Sequence, residues 1–514
     1  MKRTIAILLC CALSLGLFGC GSQNDAYTPT GDGLTWDEDY TGEATRPSVD
    51  GSSQEVTLIY YPNETMNPYS CTDFTNRALF SLLYQSLFVV DRAYNISPML
   101  CKNYSYSEDM KTWSFTVENA TFSDGSVLTA ADVSASLNTA MESQYYAGRF
   151  THIKTVAAEG NSVVITLDTP YEDLPLLLDI PIVRQSDVAN DRPLGTGPYV
   201  LEDSGSAGVL RRRADWWCKA EMTVTAASIS LLRAEDNAQI RDSFEFENLS
   251  LVCADPCSDK YADYRCDYEL WDMENNIFLY LACNMNSSVF SNPEVRAALS
   301  KSVDRNTLTE SFYRGFARSA SLPASPLSPY YNNTLANKYA YDGGEALKNA
   351  VMKIQLPENP LIFLVNSDDS LRLRVAKAIV EELEKSGLVI QLNALPTDDY
   401  SYALRTNNYD LYLGQTKLSN NMDLSPFFSS SGSLSYGNLE DVALYTMCNE
   451  ALANHGNFYT LHQNVMNDGR LVPILVRSYA IYATRGLLTS LTPARDNIFY
   501  YSLGKTMEKA LISQ

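Results

Sequence analysis

The chain is 514 residues long, with 45% apolar and 19% charged residues, enough to bury several cores at roughly 150 residues per domain. Lys and Arg number 39 against 61 Asp and Glu, a net charge of −22 and a pI near 4.6. That balance excludes binding driven by phosphate neutralisation and electrostatic adhesion to anionic lipid, and 3 histidines exclude a histidine-rich metal centre.

Lys2 and Arg3 precede an apolar run over 5–18 that is too short to span a bilayer, so residues 1–20 are expected to be a secretory leader. Leu17-Phe18-Gly19-Cys20 resembles a bacterial lipobox, which implies diacylation at Cys20 and attachment to the bacterial cell membrane by lipid alone. Residues 21–54 carry Asp25, Asp32, Asp37, Glu38, Asp39, Glu43 and Asp50 against Arg46 among Gly, Ser and Thr, the composition of a charge-extended tether. No later run is long and apolar enough to cross a membrane. Of 11 cysteines, those beyond Cys20 are expected as buried thiols or one local disulfide; Cys253, Cys257, Cys266 and Cys283 have no zinc-site spacing.

The body reads as mixed α/β. Residues 56–61 form a first strand, and apolar residues at helical spacing (Leu79, Leu82, Leu83, Leu87) predict a helix over 78–87. Trp113-Ser114-Phe115-Thr116-Val117 alternates as a half-buried strand, Ser123-Asp124-Gly125-Ser126 turns, and Thr129 with Asp132 opens a helix over 130–141. Asn292-Pro293 starts another helix. Asp304 begins a further one, closed by Gly315. Leu371, Val375, Ile379 and Leu383 predict an amphipathic helix over 370–386, with Gly387 as its stop and a strand over 388–392.

Several stretches in order resemble the extracytoplasmic solute-binding proteins of peptide- and nickel-type ABC importers, the oligopeptide- and dipeptide-binding family (family 5). They are Met66-Asn67-Pro68-Tyr69; Leu83-Tyr84-Gln85-Ser86-Leu87-Phe88; Trp113 to Val117 with the following 122–133; Pro193-Leu194-Gly195-Thr196-Gly197-Pro198-Tyr199; and Val295-Arg296-Ala297-Ala298-Leu299 with Val303-Asp304-Arg305. The resemblance implies a two-lobed periplasmic-binding-protein-like α/β fold, with mixed sheets flanked by helices and a ligand cleft between the lobes. Lobe I would be built from 55–75, 186–274 and 468–514, a small inserted domain from 76–185, and lobe II from 275–467, with hinges near 270–285 and 468–480. It also implies a monomer that hands a small peptide-like solute to a membrane permease, without cofactor, metal or nucleic acid.

In peptide-binding relatives an Asp after a late strand pairs with the solute's amino group. Residues 410–426 align with that region, but Gln415 stands at the usual Trp, Lys417-Leu418 stands near the missing Asp, and Asp423 matches a different, structural Asp. Gln415, Thr416 and Lys417 are therefore expected to contact the solute, with Lys417 favouring an anion, and Asn67 and Tyr69 to line the opposite side. An enzyme is not expected. HExxH and GxSxG are missing, Gly504-Lys505-Thr506 has Phe499 where a phosphate loop needs its first Gly, and His455 and His462 lack a third ligand. Two alternatives remain at this stage: a nickel- or metal-chelate-binding importer component, and a surface lipoprotein that kept the fold for sensing or adhesion.

Overall fold

The computed structural model describes residues 56–498 except 204–207, 223, 225, 260, 262, 488–490, 492 and 496. The leader with Cys20, the segment 21–54 and Gly504-Lys505-Thr506 lie outside the described residues.

The strands in chain order are β1 (Val56–Ile59), β2 (Phe88–Val90), β3 (Ile96–Pro98), β4 (Cys101–Tyr106), β5 (Thr112–Val117), β6 (Ile153–Glu159), β7 (Ser162–Leu167), β8 (Tyr199–Asp203), β9 (Gly208–Arg212), β10 (Ser228–Leu232), β11 (Leu251–Ala254), β12 (Tyr268–Cys283), β13 (Ala317–Ser319), β14 (Leu361–Asn366), β15 (Ile390–Leu395), β16 (Leu411–Lys417) and β17 (Leu471–Thr484). One sheet has the order β1-β10-β9-β8, with β1 parallel to β10. A second, β4-β5-β7-β6, is antiparallel and lies within the segment expected as the insert. The third, β11-β17-β12-β16-β14-β15 with β13 on β17, mixes parallel and antiparallel pairs.

The alternation in β5 does what period-2 patterning requires: Trp113, Phe115 and Val117 point into a core shared with Val163, Ile165 and Leu167 of β7. Helix Ala130–Glu142 closes over this sheet. Its capping box is complete, since the Asp132 N–H donates to Thr129 Oγ1 and the Thr129 N–H donates to Asp132 Oδ2. Thr129→Ala is expected to lower stability by about 1 kcal/mol in urea unfolding. Helix Ser370–Glu384 buries Leu371, Val375, Ile379 and Leu383 against β14, as its spacing predicts.

The helix expected over 78–87 is broken. Two short helices, Phe74–Ala78 and Phe80–Leu83, are followed by extended chain from Tyr84, where Gln85 bridges to Ile182. Leu79, Leu82, Leu83 and Leu87 are all buried, so the apolar spacing recorded burial on every side of the segment rather than one helical face. The strand after Gly387 starts at Ile390, two residues later than expected. Among the described residues Cys71, Cys101, Cys218, Cys253, Cys257, Cys266, Cys283 and Cys448 are all free thiols, so the local-disulfide alternative is not realised. Burial pushes the thiols of Cys101, Cys257 and Cys283 up to about 12, which keeps them protonated and unreactive.

The two longest strands set up the site. β12 and β17 pair from Tyr268↔Thr484 to Ala282↔Leu471, with the register broken between Glu274 and Phe278. On one side of the break Met273 and Ile481 join the core of the first two sheets; on the other, Leu279 and Leu475 join the core under helix Ser370–Glu384. Asn276 at the break takes a left-handed backbone, φ 58°.

Candidate functional site

β16 lies antiparallel to β12, with Gln415, Thr416 and Lys417 opposite Leu279, Phe278 and Ile277. Lys417 is thus the last residue of a strand that ends beside the register break. Its side chain is exposed, and it crosses to the segment 76–185. Nζ donates to Tyr145 Oη at 2.9 Å and lies 4.6 Å from that ring's centroid. Arg77 approaches the same ring, with Cζ 3.3 Å from the centroid. Two cations therefore converge on one tyrosine, an arrangement supported by the ring's negative face.

Arg77 is buried and firmly held. Its Nη1 donates to the Pro68 and Cys71 carbonyls at 3.1 and 3.0 Å, and Nη2 donates to Tyr146 Oη at 2.9 Å. Asn67 and Tyr69, expected on this side of the cleft, shape the loop that supplies those carbonyls. Asn67 Nδ2 donates to the Val188 and Asn190 carbonyls, its Oδ1 accepts from the Tyr69 N–H, and Tyr69 Oη donates to the Pro181 carbonyl at 2.7 Å. Both side chains are buried with these polar groups already bonded, so they act behind Arg77. Tyr479, on β17, packs edge-on against Phe74 at 4.7 Å. Burial raises the pKa of its hydroxyl, and the Arg477 charge opposes that rise.

Sequence reasoning missed Arg77, Tyr145 and Tyr479. No local pattern marks them, because they reach the site from three separate segments.

Asp423 keeps a structural place. Its carboxylate accepts from Ser425 N and Ser425 Oγ at 2.8 and 2.9 Å, and burial raises its pKa. Ser425, His152 and Asp168 form a hydrogen-bonded chain, with 2.9 Å on both sides of the imidazole. It resembles a nucleophilic triad in outline only. Ser425 is fully buried and Asp423 already accepts its proton, so no substrate carbonyl can reach it. His455 is engaged by Asp173 and Glu172, whereas His462 is buried in the core. No group of three metal-ligating side chains occurs among the described residues.

The sequence profile of "bacterial extracellular solute-binding proteins, family 5 Middle" matches residues 95–438. The chain belongs to this family. Family 5 proteins are extracytoplasmic solute-binding components of ABC importers, not enzymes, and they deliver small solutes to a membrane permease. The glutathione-binding protein GsiB of Salmonella typhi is 23% identical over 358 residues, covering 64% of this chain and 67% of that protein. Among solved structures, the binding protein AgaA of A. tumefaciens R10 in complex with agropinic acid has a TM-score of 0.64 at 20% identity, covering 88% of this chain and 98% of that one. NikA of Brucella suis in complex with Fe(III)-EDTA has a TM-score of 0.68 at 17% identity, covering 88% and 99%. The fold class is accordingly α/β, that of two-lobed binding proteins with mixed sheets flanked by helices. No helix among the described residues is long and apolar enough to cross a membrane.

Proposed function

We propose that this family 5 protein is held at the cell membrane through lipidated Cys20 and captures a peptide-like solute carrying a carboxylate. The reading rests on one observation: Lys417 and Arg77, from opposite sides of the seam, converge on Tyr145. A solute carboxylate would replace the Tyr145 hydroxyl as acceptor for Lys417. That exchanges a neutral acceptor for a charge-assisted one, which forms the shorter and stronger bond. Gln415 and Thr416 would flank it on β16, Tyr479 would supply a ring, and Asn67 and Tyr69 would hold the loop that fixes Arg77. Glutathione, agropinic acid and EDTA all carry carboxylates, in keeping with an anion-selective site on this fold.

Closure would flex β12 and β17 at the register break, moving 275–467 against 55–75, 186–274 and 468–514 with the insert 76–185. The solute's preference for the closed form is the whole driving force. Shifting the equilibrium from 1:99 to 99:1 needs about 5.5 kcal/mol of that preference. Micromolar binding supplies roughly 8 kcal/mol, so closure is within reach of an ordinary solute.

Native mass spectrometry of gently purified protein identifies the carried solute. Titration calorimetry with that solute is then expected to show Lys417→Glu weakening binding at least about tenfold, about 1.4 kcal/mol. An unchanged Kd removes Lys417 from the site. The same two cations suit an anionic metal chelate, and a chelate mass with its metal would select that second reading.

A further inference from the structure

Two of the three histidines in the chain lie on one seam, between the segments 76–185 and 275–467, and each faces carboxylates. His152, at the entry to β6, is 3% exposed. Its Nδ1 is 2.9 Å from Asp168 Oδ1, on its own side of the seam. Across the seam, its Nε2 is 2.9 Å from Ser425 Oγ and 3.7 Å from Asp423 Oδ2, and Ser425 Oγ donates onward to Asp423 Oδ2 at 2.9 Å. The Tyr171 ring stands edge-on to the imidazole. His455 makes the reverse crossing from 275–467. Its Nε2 is 2.5 Å from Asp173 Oδ2, its Nδ1 is 3.5 Å from Glu172 Oε2, and its backbone N–H donates to Glu172 Oε2 at 3.0 Å. Tyr330 Oη, beside it, donates to the same Asp173 Oδ2.

The crossing at His152 is a chain of hydrogen bonds, Asp168–His152–Ser425–Asp423, that ties the two segments through a buried serine.

We propose that this seam is an acid-tightened clasp, in which protonated His455 fastens 275–467 to 76–185 and its deprotonation above neutral pH loosens it, beside the hydrogen-bonded crossing at His152. The groups facing the rings are Asp168, Asp423 and Tyr171 for His152, and Asp173, Glu172 and Tyr330 for His455. At His455 burial lowers the pKa, but the Asp173 hydrogen bond and the Asp173 and Glu172 charges outweigh it, so the net shift is upward. A raised histidine pKa gives stability that is complete below the ordinary value and lost as pH rises through the folded one. The clasp does not depend on which solute the protein carries.

Hydrogen–deuterium exchange of the full chain without added solute tests it, with labelling times corrected for intrinsic exchange at about pH 5.5 and about pH 8. Peptides covering 168–173 and 452–455 are expected to lose protection at least about tenfold at the higher pH, while the β14 peptide 361–366 holds. In His455→Gln, at a half-buried position, the difference is expected to vanish. If that variant does not fold, Asp173→Asn, which removes the carboxylate facing His455 Nε2, is expected to reduce it for 168–173 and 452–455. Wild-type protection that is equal at both pH values, an equal drop in the β14 peptide, or a variant that keeps the full difference overturns the clasp.

Discussion

Replacing Gly197 by alanine is expected to lower the unfolding free energy by about 3 kcal/mol, read as a drop in the urea midpoint with an unchanged slope. A Cβ there would stand 2.5 Å from the Leu83 carbonyl carbon and 2.6 Å from the Leu82 and Leu83 oxygens. All three are backbone atoms, so no rotamer change relieves the clash. The approach is close because the Gly197 N–H donates to Leu83 O at 2.9 Å. Gly195 is tighter still against the same carbonyl and receives the Ser123 N–H on its own oxygen. Around this knot Trp216 Nε1 donates to Thr196 O, and Arg213 donates to the Gly197, Thr121 and Phe122 carbonyls. The knot sits where the chain leaves 76–185 and enters β8, so it fixes that segment on the first sheet. A Gly197→Ala protein with the wild-type midpoint would mean that Leu82 and Leu83 yield freely.

What could be read in advance follows from the range of the interactions. The Thr129–Asp132 box, the Asn292-Pro293 start and helix Ser370–Glu384 are decided within a few residues, and they stand where the sequence puts them. The segment 78–87 is decided by distant partners, among them Ile182 and the Gly195–Gly197 loop, and its apolar spacing pointed to the wrong backbone. The candidate site divides in the same way. The family resemblance placed Lys417 near the loop that follows a late strand. Tyr145, its acceptor, is 272 residues away, and neither that distance nor the Arg77 approach leaves a local trace. Asn67 and Tyr69 come from a motif, and the carbonyls that their side chains meet at Val188, Asn190 and Pro181 lie more than a hundred residues further on. The clasp was equally hidden, since His152 meets Ser425 across 273 positions.

The third histidine gives the other large effect, with the opposite sign. His462 lies on helix Phe458–Asp468, fully buried, and neither ring nitrogen has a hydrogen-bond partner among the described residues. Burial alone drives its pKa down from 6.5 to about 3. A histidine lowered in this way must shed its proton to fold. Its contribution is therefore neutral above about pH 6.5 and increasingly unfavourable as pH falls towards the folded value. At pH 5 the penalty is about 1.5 pH units, or about 2 kcal/mol. His462→Leu removes both the titration and two unpaired nitrogens at near-constant volume. The difference in unfolding free energy between variant and wild type is thus expected to grow by about 2 kcal/mol in the variant's favour between pH 7 and pH 5. A difference that stays flat across that interval would mean that His462 is solvated or paired in solution. The two effects occupy adjoining pH windows: the seam tightens through His455 as pH falls towards the ordinary histidine value of about 6.5 and is complete below it, whereas the core penalty of His462 begins there. As far as the histidines decide it, wild-type stability is therefore expected to be greatest near pH 6.5. His462→Leu exposes the seam's contribution, because it leaves the clasp as the histidine-dependent term that remains.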